Sequence, residues 1–87
     1  MRRRVIIHGN VQGVGFRMSV ARAAEARSLC GWVRNCDDGT VEAVFEGDGE
    51  GVAALVRYCE YGSSGANVTH VVTVDETPEG LTGFEIR

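Results

Sequence analysis

The sequence predicts an α+β fold, a ferredoxin-like split β-α-β sandwich in which two helices cover one face of an antiparallel sheet. Two observations predict it. The candidate elements follow one another as β-α-β-β-α-β with a short terminal strand, and one central strand alternates apolar with acidic side chains. We expect residues 1–87 to form one domain, because a chain of this length has little room for a second core. Since this fold serves many unrelated functions, it predicts no activity by itself.

The first half of the chain contains a strand, a helix and a hairpin. Residues 3–9 are rich in β-branched side chains and end at glycine, which predicts a strand. Residues 17–28 are rich in alanine and arginine and contain no glycine or proline, so they favour a helix. Two more strands are predicted at 30–36 and 40–47, because the aspartates and glycine at 37–39 are typical of a tight hairpin turn.

The third strand indicates how the sheet is buried. Val41, Ala43 and Phe45 point to one side of the strand, and Glu42 and Glu46 point to the other. This alternation predicts a half-buried sheet, which packs its apolar face on the helices and exposes its acidic face to water.

The second half of the chain contains the clearest amphipathic helix, predicted over residues 49–62 with Gly62 as its C-cap. Its apolar stripe has the spacing i, i+3, i+4 and i+7 and comprises Val52, Leu55, Val56 and Cys59. Residues 68–75 then predict a fourth strand, and residues 84–87 a short closing strand.

Composition excludes several classes of function. A net charge of −3 gives no overall field that would recruit nucleic acid or an anionic membrane. No apolar run approaches the roughly 20 residues of a membrane span and no signal peptide precedes the first strand, so we expect a cytoplasmic protein. The basic residues other than histidine are all arginine, which excludes a lysine nucleophile. Cys30, Cys36 and Cys59 form no C-x-x-C pair, and we expect free thiols.

The stretch NVQGVGFR, residues 10–17, joins the first strand to the first helix and predicts a phosphate site. Gly13 and Gly15 permit positive φ angles, so that successive backbone N–H groups can point inward at an anion. The following helix N-terminus adds unpaired N–H groups, and Arg17 adds a guanidinium that matches two phosphoryl oxygens. An ordinary strand-to-helix turn with a surface arginine would show the same local features. The P-loop and the dinucleotide fingerprint do not fit, because the Gly-Lys-Ser/Thr ending is missing and the glycine spacing differs.

Together with two later segments, this stretch resembles the acylphosphatase family. The segments are GNVQGVGFR at 9–17, GWVRN at 31–35 and DGTVE at 38–42, and their order and spacing match over nearly the whole chain. The resemblance implies that Arg17 binds the phosphoryl group and that Asn35 orients the attacking water. It also implies that phosphate oxygens are held by the backbone amides of Gln12, Gly13, Val14, Gly15, Phe16 and Arg17.

The resemblance further implies hydrolysis of the carboxyl–phosphate bond of small acyl phosphates, which gives a carboxylate and inorganic phosphate. A carboxylate leaving group has a conjugate-acid pKa of roughly 4, so it departs without a general acid. We therefore expect a metal-independent enzyme that needs no cofactor. Its expected partner is a small-molecule acyl phosphate, and it is expected to act as a monomer without nucleic acid or membrane.

Two alternatives stay open at this point. The first is a non-catalytic ferredoxin-like anion-binding or regulatory module, which would need the loop and Arg17 but no water-orienting amide at Asn35. The second is an RNA-binding sandwich, disfavoured by the acidic net charge and by the lack of an aromatic pair on one strand. Trp32 is either a core residue or a wall of the site. His8 and His70 have no metal-ligand spacing and are interpreted as sheet residues.

The sequence departs from the family's pattern at two places. Ser28 stands where the family often has a glycine at the end of the first helix, and residues 62–66 replace a usual Gly-Pro turn. Both departures are distant in sequence from Arg17 and Asn35. We therefore expect them to affect local stability and not activity.

Overall fold

The computed structural model describes all 87 residues and confirms the predicted fold class. It contains two helices and five strands, and each bound lies within two residues of its predicted position. In chain order the elements are β1 (Arg2–Asn10), α1 (Phe16–Ala26), β2 (Cys30–Asn35), β3 (Val41–Glu46), α2 (Gly49–Tyr61), β4 (Asn67–Glu76) and β5 (Phe84–Ile86). Neither helix is long and apolar enough to span a membrane.

All five strands form one sheet in the order β4-β1-β3-β2-β5. β1 pairs antiparallel with β3 and β4, and β2 pairs antiparallel with β3. β5 pairs parallel with β2, so the sheet is mixed and not wholly antiparallel as predicted. The reason is the segment 77–83, called here the crossover loop. It passes across one end of the sheet from the β4 edge to the β5 edge, and it returns the chain in the direction of β2.

The core lies between the sheet and the two helices and contains 14 buried hydrophobic residues. The helices contribute Phe16, Val20, Ala24, Val52, Leu55 and Cys59. The strands contribute Val5, Ile7, Val33, Val41, Ala43 and Phe45. Val56, the remaining member of the predicted α2 stripe, is partly buried against this cluster. Because α1 packs against β2 and β5, the turn that precedes α1 lies beside the ends of these two strands.

On β3 the outer face of the sheet, which no helix covers, is buried, and the expectation of a wet acidic face is wrong for this strand. Glu42 is 9% exposed and Glu46 is 6% exposed, so all six residues of β3 are buried. Arginine side chains from β1 and β2 lie over them. Trp32 packs on this face too, with the guanidinium carbons of Arg4 and Arg87 lying 5.6 and 4.8 Å from its ring centroid. It therefore belongs neither to the core cluster nor to a site wall.

The ion pairs on the outer face form one connected network. Its members are Arg2, Arg4, Arg34, Glu42, Glu46, Glu76 and Glu79. Arg4 joins Glu42 to Glu76, and Arg34 holds the other oxygen of Glu42 at 2.6 Å. Burial opposes ionisation of Glu42, yet the hydrogen bonds from Arg34 and Arg4 lower the pKa of its carboxyl. Each buried charge of the network thus has a partner of opposite sign.

Glu46 ties the crossover loop to the sheet. Its carboxylate accepts N–H hydrogen bonds from Glu79 at 2.9 Å, Gly80 at 3.1 Å and Leu81 at 3.0 Å, and a further one from Arg2 at 2.7 Å. Burial alone would raise the pKa of this carboxyl, but the backbone N–H groups and the guanidinium lower it to about 2. The loop, and with it the start of β5, is fixed at the end of the sheet opposite to the β1–α1 turn.

The two departures from the family's pattern have distinct structural outcomes. Ser28 has a φ of 56° and is the one non-glycine residue with positive φ, a conformation that costs a side-chain-bearing residue about 1–2 kcal/mol. Gly62 is the C-cap of α2, as predicted. The turn at 62–66 is closed by a hydrogen bond of 3.0 Å from the Ala66 N–H to the Ser63 oxygen. Local strain therefore falls on Ser28.

Candidate active site

The β1–α1 turn and the ends of β2 and β5 surround a cleft of about 190 Å³. Its lining comprises Val11, Gly13, Gly15, Phe16, Arg17, Met18, Asn35 and Ile86. The cleft thus brings together five of the seven residues named from the sequence, although 17 residues of chain lie between Arg17 and Asn35. Arg17 is the one charged side chain of the lining, and no acidic side chain lines the cleft. This charge distribution favours an anionic ligand.

The β1–α1 turn has the backbone conformation that an anion-binding loop needs. Gly13 and Gly15 both have a φ of 75°. A Cβ added at either glycine would meet no atom within 4 Å, so backbone conformation and not lack of space requires glycine here. Gly15 is the N-cap of α1, no side chain caps the helix, and its first turn contains no acidic residue. The first N–H groups of α1 therefore remain available to phosphate oxygens.

Two of the residues named from the sequence do not line the cleft with their side chains. Val14 packs against the hydrophobic core. Gln12 directs its side chain to the β2–β3 hairpin, where Nε2 donates hydrogen bonds to the main-chain oxygens of Cys36 at 2.7 Å and Thr40 at 2.9 Å. Since Cys36 directly follows Asn35, this bridge holds the turn and the end of β2 in a fixed relation.

Arg17 is held at the cleft by one hydrogen bond. Its Nη1 donates to the main-chain oxygen of Arg87, the residue after β5, at 2.8 Å. It forms no ion pair, whereas the arginines of the outer-face network each contact at least one carboxylate. The remaining guanidinium N–H groups have the geometry to bind two phosphoryl oxygens.

Asn35 ends β2 and lines the cleft with its side chain. Its Oδ1 atom is buried and has no hydrogen-bond partner within the protein. A buried polar atom without a partner costs about 1–3 kcal/mol and is uncommon in folded proteins. A water molecule or a substrate group in the cleft would satisfy this atom.

The other polar and nucleophilic residues lie away from the cleft or are unreactive. His8 and His70 stack across β1 and β4 with ring centroids 4.1 Å apart, and neither lines the cleft. All three cysteines are free, as predicted. Burial raises the pKa of the Cys59 thiol to about 12, so it is inert at neutral pH. The chain contains no group of three or more His, Cys, Asp or Glu side chains that could hold a metal ion.

Sequence reasoning missed three residues of the lining, which are Val11, Met18 and Ile86. Ile86 reaches the cleft because β5 pairs in parallel with β2, in a register that places Ile86 beside Val33. No local pattern signals that pairing. Met18 directly follows Arg17 on α1, and a large apolar side chain beside a candidate phosphate ligand was a signal available in the sequence.

The fold and the cleft define a class, the ferredoxin-like α+β proteins whose first strand–helix turn is shaped for an anion. The acylphosphatase family model matches residues 3–86. The chain is 50% identical over 86 residues to an acylphosphatase of Haloarcula marismortui, covering 99% of this chain and 94% of the relative. It is 54% identical over 80 residues to an acylphosphatase of Thermococcus kodakarensis, covering 92% and 88%. The chain therefore belongs to the acylphosphatase family, a family of hydrolases.

The same relation holds in three dimensions. The crystal structure of acylphosphatase from Bacillus subtilis aligns with a TM-score of 0.95 at 39% sequence identity. The alignment covers 99% of this chain and 97% of that chain, so the two folds correspond over nearly their whole length.

Proposed function

We propose that this protein is an acylphosphatase that hydrolyses the carboxyl–phosphate bond of small acyl phosphates to a carboxylate and inorganic phosphate. One observation carries the proposal: the partnerless buried Oδ1 of Asn35 lies in the same cleft as Arg17 and the glycine turn. Membership of the acylphosphatase family over nearly the whole chain supports it.

The phosphoryl group binds at the polar part of the cleft. Backbone N–H groups of residues 12–17 and the N-terminus of α1 surround its oxygens, and the Arg17 guanidinium neutralises their charge. Phosphoryl transfer needs mainly positioning and charge stabilisation, because the transition state spreads charge over the phosphoryl oxygens. A preformed turn with free N–H groups supplies both.

The attacking water binds to the side chain of Asn35. An amide accepts and donates hydrogen bonds but is too weak a base to remove a proton from water, so its role is orientation. The water oxygen forms a new bond to phosphorus, the bond from phosphorus to the carboxylate oxygen breaks, and the water proton passes to the phosphate. The carboxylate leaves without a general acid, which fits a cleft that no histidine or carboxylic acid lines.

The catalytic assignment is favoured over a non-catalytic anion-binding module. A module of that kind would need the turn and Arg17, but it would gain nothing from an unpaired amide oxygen that costs stability. Both relatives described above are named acylphosphatases, and the alignments with this chain cover 94% and 88% of their lengths.

The proposal also covers domain organisation, location, oligomeric state and cofactor requirement. We propose that residues 1–87 act as one domain, as a cytoplasmic monomer, and without a metal ion or other cofactor. Activity is then unchanged by a chelator such as EDTA, and sedimentation gives the mass of a single chain. A chelator-sensitive activity or a stable dimer would contradict the corresponding property.

The test is hydrolysis of benzoyl phosphate in the presence of EDTA by the wild type, Arg17→Ala, Asn35→Ala and the control Arg57→Ala. Arg57 is an exposed arginine of α2 that does not line the cleft. We expect each site variant to lose roughly a hundredfold or more, the scale of losing a transition-state contact. KM should rise mainly in Arg17→Ala, and kcat should fall mainly in Asn35→Ala.

The bond that breaks is tested separately in water labelled with heavy oxygen. The label is expected in the released phosphate and not in the carboxylate, because water attacks phosphorus. A wild type that binds inorganic phosphate but does not hydrolyse acyl phosphates would contradict the proposal and favour the binding module.

A further inference from the structure

His8 on β1 and His70 on β4 face each other across two neighbouring strands, outside the candidate active site. We propose that this pair is a binding site for a divalent transition-metal ion such as Zn²⁺, which one nitrogen of each imidazole holds and which joins the edge strand β4 to β1. The inference is independent of the proposed function, because the ion takes no part in hydrolysis.

The strand register brings the two imidazoles together. His8 and His70 lie directly opposite each other in the antiparallel ladder, and their ring centroids are 4.1 Å apart with an interplanar angle of 11°. The Cβ atoms of opposite residues are about 4.5–5.5 Å apart, which lets both side chains reach one ion. His8 alternates in step with Arg2 and Arg4, so the rings lie on the outer face of the sheet. The backbone thus presents two imidazoles side by side, as a chelating ligand does.

A rotation of the rings is enough to form the site. Histidine nitrogens bind Zn²⁺ at about 2.0–2.1 Å, so two of them in a tetrahedral site are about 3.3 Å apart. The stacked rings are nearly that close already, but they lie in nearly parallel planes. The χ2 torsion of histidine is broad, so both rings can turn their nitrogen lone pairs towards one ion while the backbone stays in place. Coordination then replaces stacking.

The ring nitrogens are free to bind an ion. The side chain of His8 forms no hydrogen bond or ion pair within the protein, and that of His70 contacts one group, the Thr69 hydroxyl, with 3.3 Å between Oγ1 and Nδ1. When this hydroxyl accepts from the Nδ1–H, the Nε2 atom carries the lone pair. Metal-ligating histidines usually have their other ring nitrogen engaged in this way. Since His8 is half-buried and His70 is exposed, water can complete the coordination.

Acidic side chains on two sides of the pair favour a cation. Hydrogen bonds from Thr40 lower the pKa of the Asp38 carboxyl most, and the charge of His8 lowers it further, which shows that Asp38 lies near His8. On the other side, Glu60 and His70 line one groove of about 300 Å³. Neither carboxylate forms a three-ligand cluster with the pair, so their contribution is the local field. Imidazole ligands together with water suit Zn²⁺, Ni²⁺ and Cu²⁺.

The pair is the last one before an irregularity in the β1–β4 ladder. The register shifts between His8 and Gly9, and Gly9 has a φ of 133°. A Cβ added at Gly9 would lie 2.1 Å from the main-chain oxygen of Asn67, so the bulge requires glycine. An ion bound to both imidazoles would therefore join the two strands at the point where their regular pairing is interrupted.

The first test is isothermal titration of zinc chloride into the protein at about pH 7.5. The variants are His8→Gln, His70→Gln and the double variant. The control is the double variant Cys30→Ser/Cys36→Ser, which removes the two thiols that are not fully buried. We expect one zinc ion per wild-type chain and unchanged binding in the control. Each single histidine variant should bind zinc roughly a hundredfold more weakly, because the second imidazole acts at a high effective concentration.

The second test identifies the ligands directly. The chain has two histidines, so the imidazole signals in a nuclear magnetic resonance spectrum belong to this pair. Zinc should shift both sets of signals along one titration curve, and EDTA should reverse the shift. Zinc at about ten times its Kd should raise the Tm of the wild type by roughly 5–10 °C and leave that of the double histidine variant nearly unchanged. Sedimentation with zinc should give the mass of a single chain.

Four results would overturn the inference. Zinc binding that survives in the double histidine variant would show that other groups hold the ion. A shift confined to one histidine, or a zinc-dependent dimer, would show that the two imidazoles do not bind one ion together. A wild type that binds no zinc would make the stack a packing contact only. These measurements need no turnover, so failure of the proposed function leaves them unaffected. Removal of the ion by EDTA should leave hydrolysis unchanged, since neither histidine lines the cleft.

Discussion

At the end of the sheet where β1 begins, Arg2 is 5% exposed and contacts Glu46, Glu76 and Glu79 within 3.3 Å. At the end where β1 finishes, Arg17 contacts a single main-chain oxygen, that of Arg87, and no acidic side chain. The acceptors differ in the same way. Four donors surround the carboxylate of Glu46, and none contacts Oδ1 of Asn35.

This difference separates structural from functional polar groups in one small domain. A charged group whose hydrogen-bonding capacity is filled by the protein contributes to the fold and has nothing left for a ligand. A group that is fixed in place but left unpaired lowers stability and is ready to bind. The following four predictions test that contrast, in order of decreasing expected effect.

Removing the Glu46 carboxylate, the acceptor at the end of the sheet where β1 begins, should cause the largest loss of stability. Glu46→Ala leaves Arg2 buried with one fewer counter-charge and leaves three backbone N–H groups of the crossover loop without an acceptor. We expect the free energy of unfolding, measured in urea, to fall by about 3–5 kcal/mol. The control Glu85→Ala removes an exposed pair and should cost under about 1 kcal/mol. Equal losses in the two variants would contradict the contrast.

Acid should weaken the same end of the sheet. The pKa of Glu46 falls from its usual 4.5 to about 2 in the folded protein. The contribution of this carboxylate to the free energy of unfolding is therefore fully present above pH 4.5 and is lost as the pH falls towards 2. This contribution is roughly 3 kcal/mol. Unfolding free energies measured across that window should fall steeply for the wild type and less steeply for Glu46→Gln. Parallel pH profiles would assign the acid sensitivity to other carboxyls.

The bridge between the glycine turn and the hairpin should matter more to activity than to stability. Gln12→Glu keeps the length of the side chain but loses the donors that contact the oxygens of Cys36 and Thr40. We expect about 1–2 kcal/mol of lost stability. The turn and Asn35 are then no longer held together, and kcat/KM should fall about tenfold, since small misplacements at an active site reduce rate strongly. Unchanged kcat/KM in the folded variant would show that the bridge does not position the site.

Replacing Asn35 by an apolar residue should make the protein more stable and less active. Asn35→Leu replaces the partnerless buried oxygen by an apolar group of similar size, and we expect the free energy of unfolding to rise by about 1 kcal/mol while hydrolysis is lost. Asn35→Ala, which removes the same oxygen but leaves a space, should be less stable than Asn35→Leu. A destabilised Asn35→Leu would show that the amide makes a structural contribution.

Local patterns in the sequence predicted the elements and the α2 stripe, because both depend on neighbouring residues. Asn35 was assigned to the site only through the resemblance to the acylphosphatase family. Local patterns did not predict the burial of the outer face of β3. Alternation in β3 shows that Glu42 leaves the core, but it does not show whether water or arginine covers it. The covering Arg4 lies 38 residues away in sequence.

The pairing of the edge strand β5 was the other feature that local patterns did not predict. The parallel pairing of β5 depends on the path of the crossover loop, and that path depends on hydrogen bonds between Glu46 and residues 79–81. Ile86 reaches the cleft only through that pairing. Long-range polar contacts of this kind have no signature in local sequence periodicity.

The position of Trp32 gives the protein a built-in optical probe. It is the single tryptophan of the chain, and its indole ring is contacted by one guanidinium from an inner strand, that of Arg4, and by one from the chain after the edge strand, that of Arg87. Detachment of β5 would remove Arg87 from the ring while Arg4 stays, and global unfolding would remove both. Its emission spectrum would therefore distinguish fraying of the edge strand beside the cleft from loss of the whole fold, without any added dye.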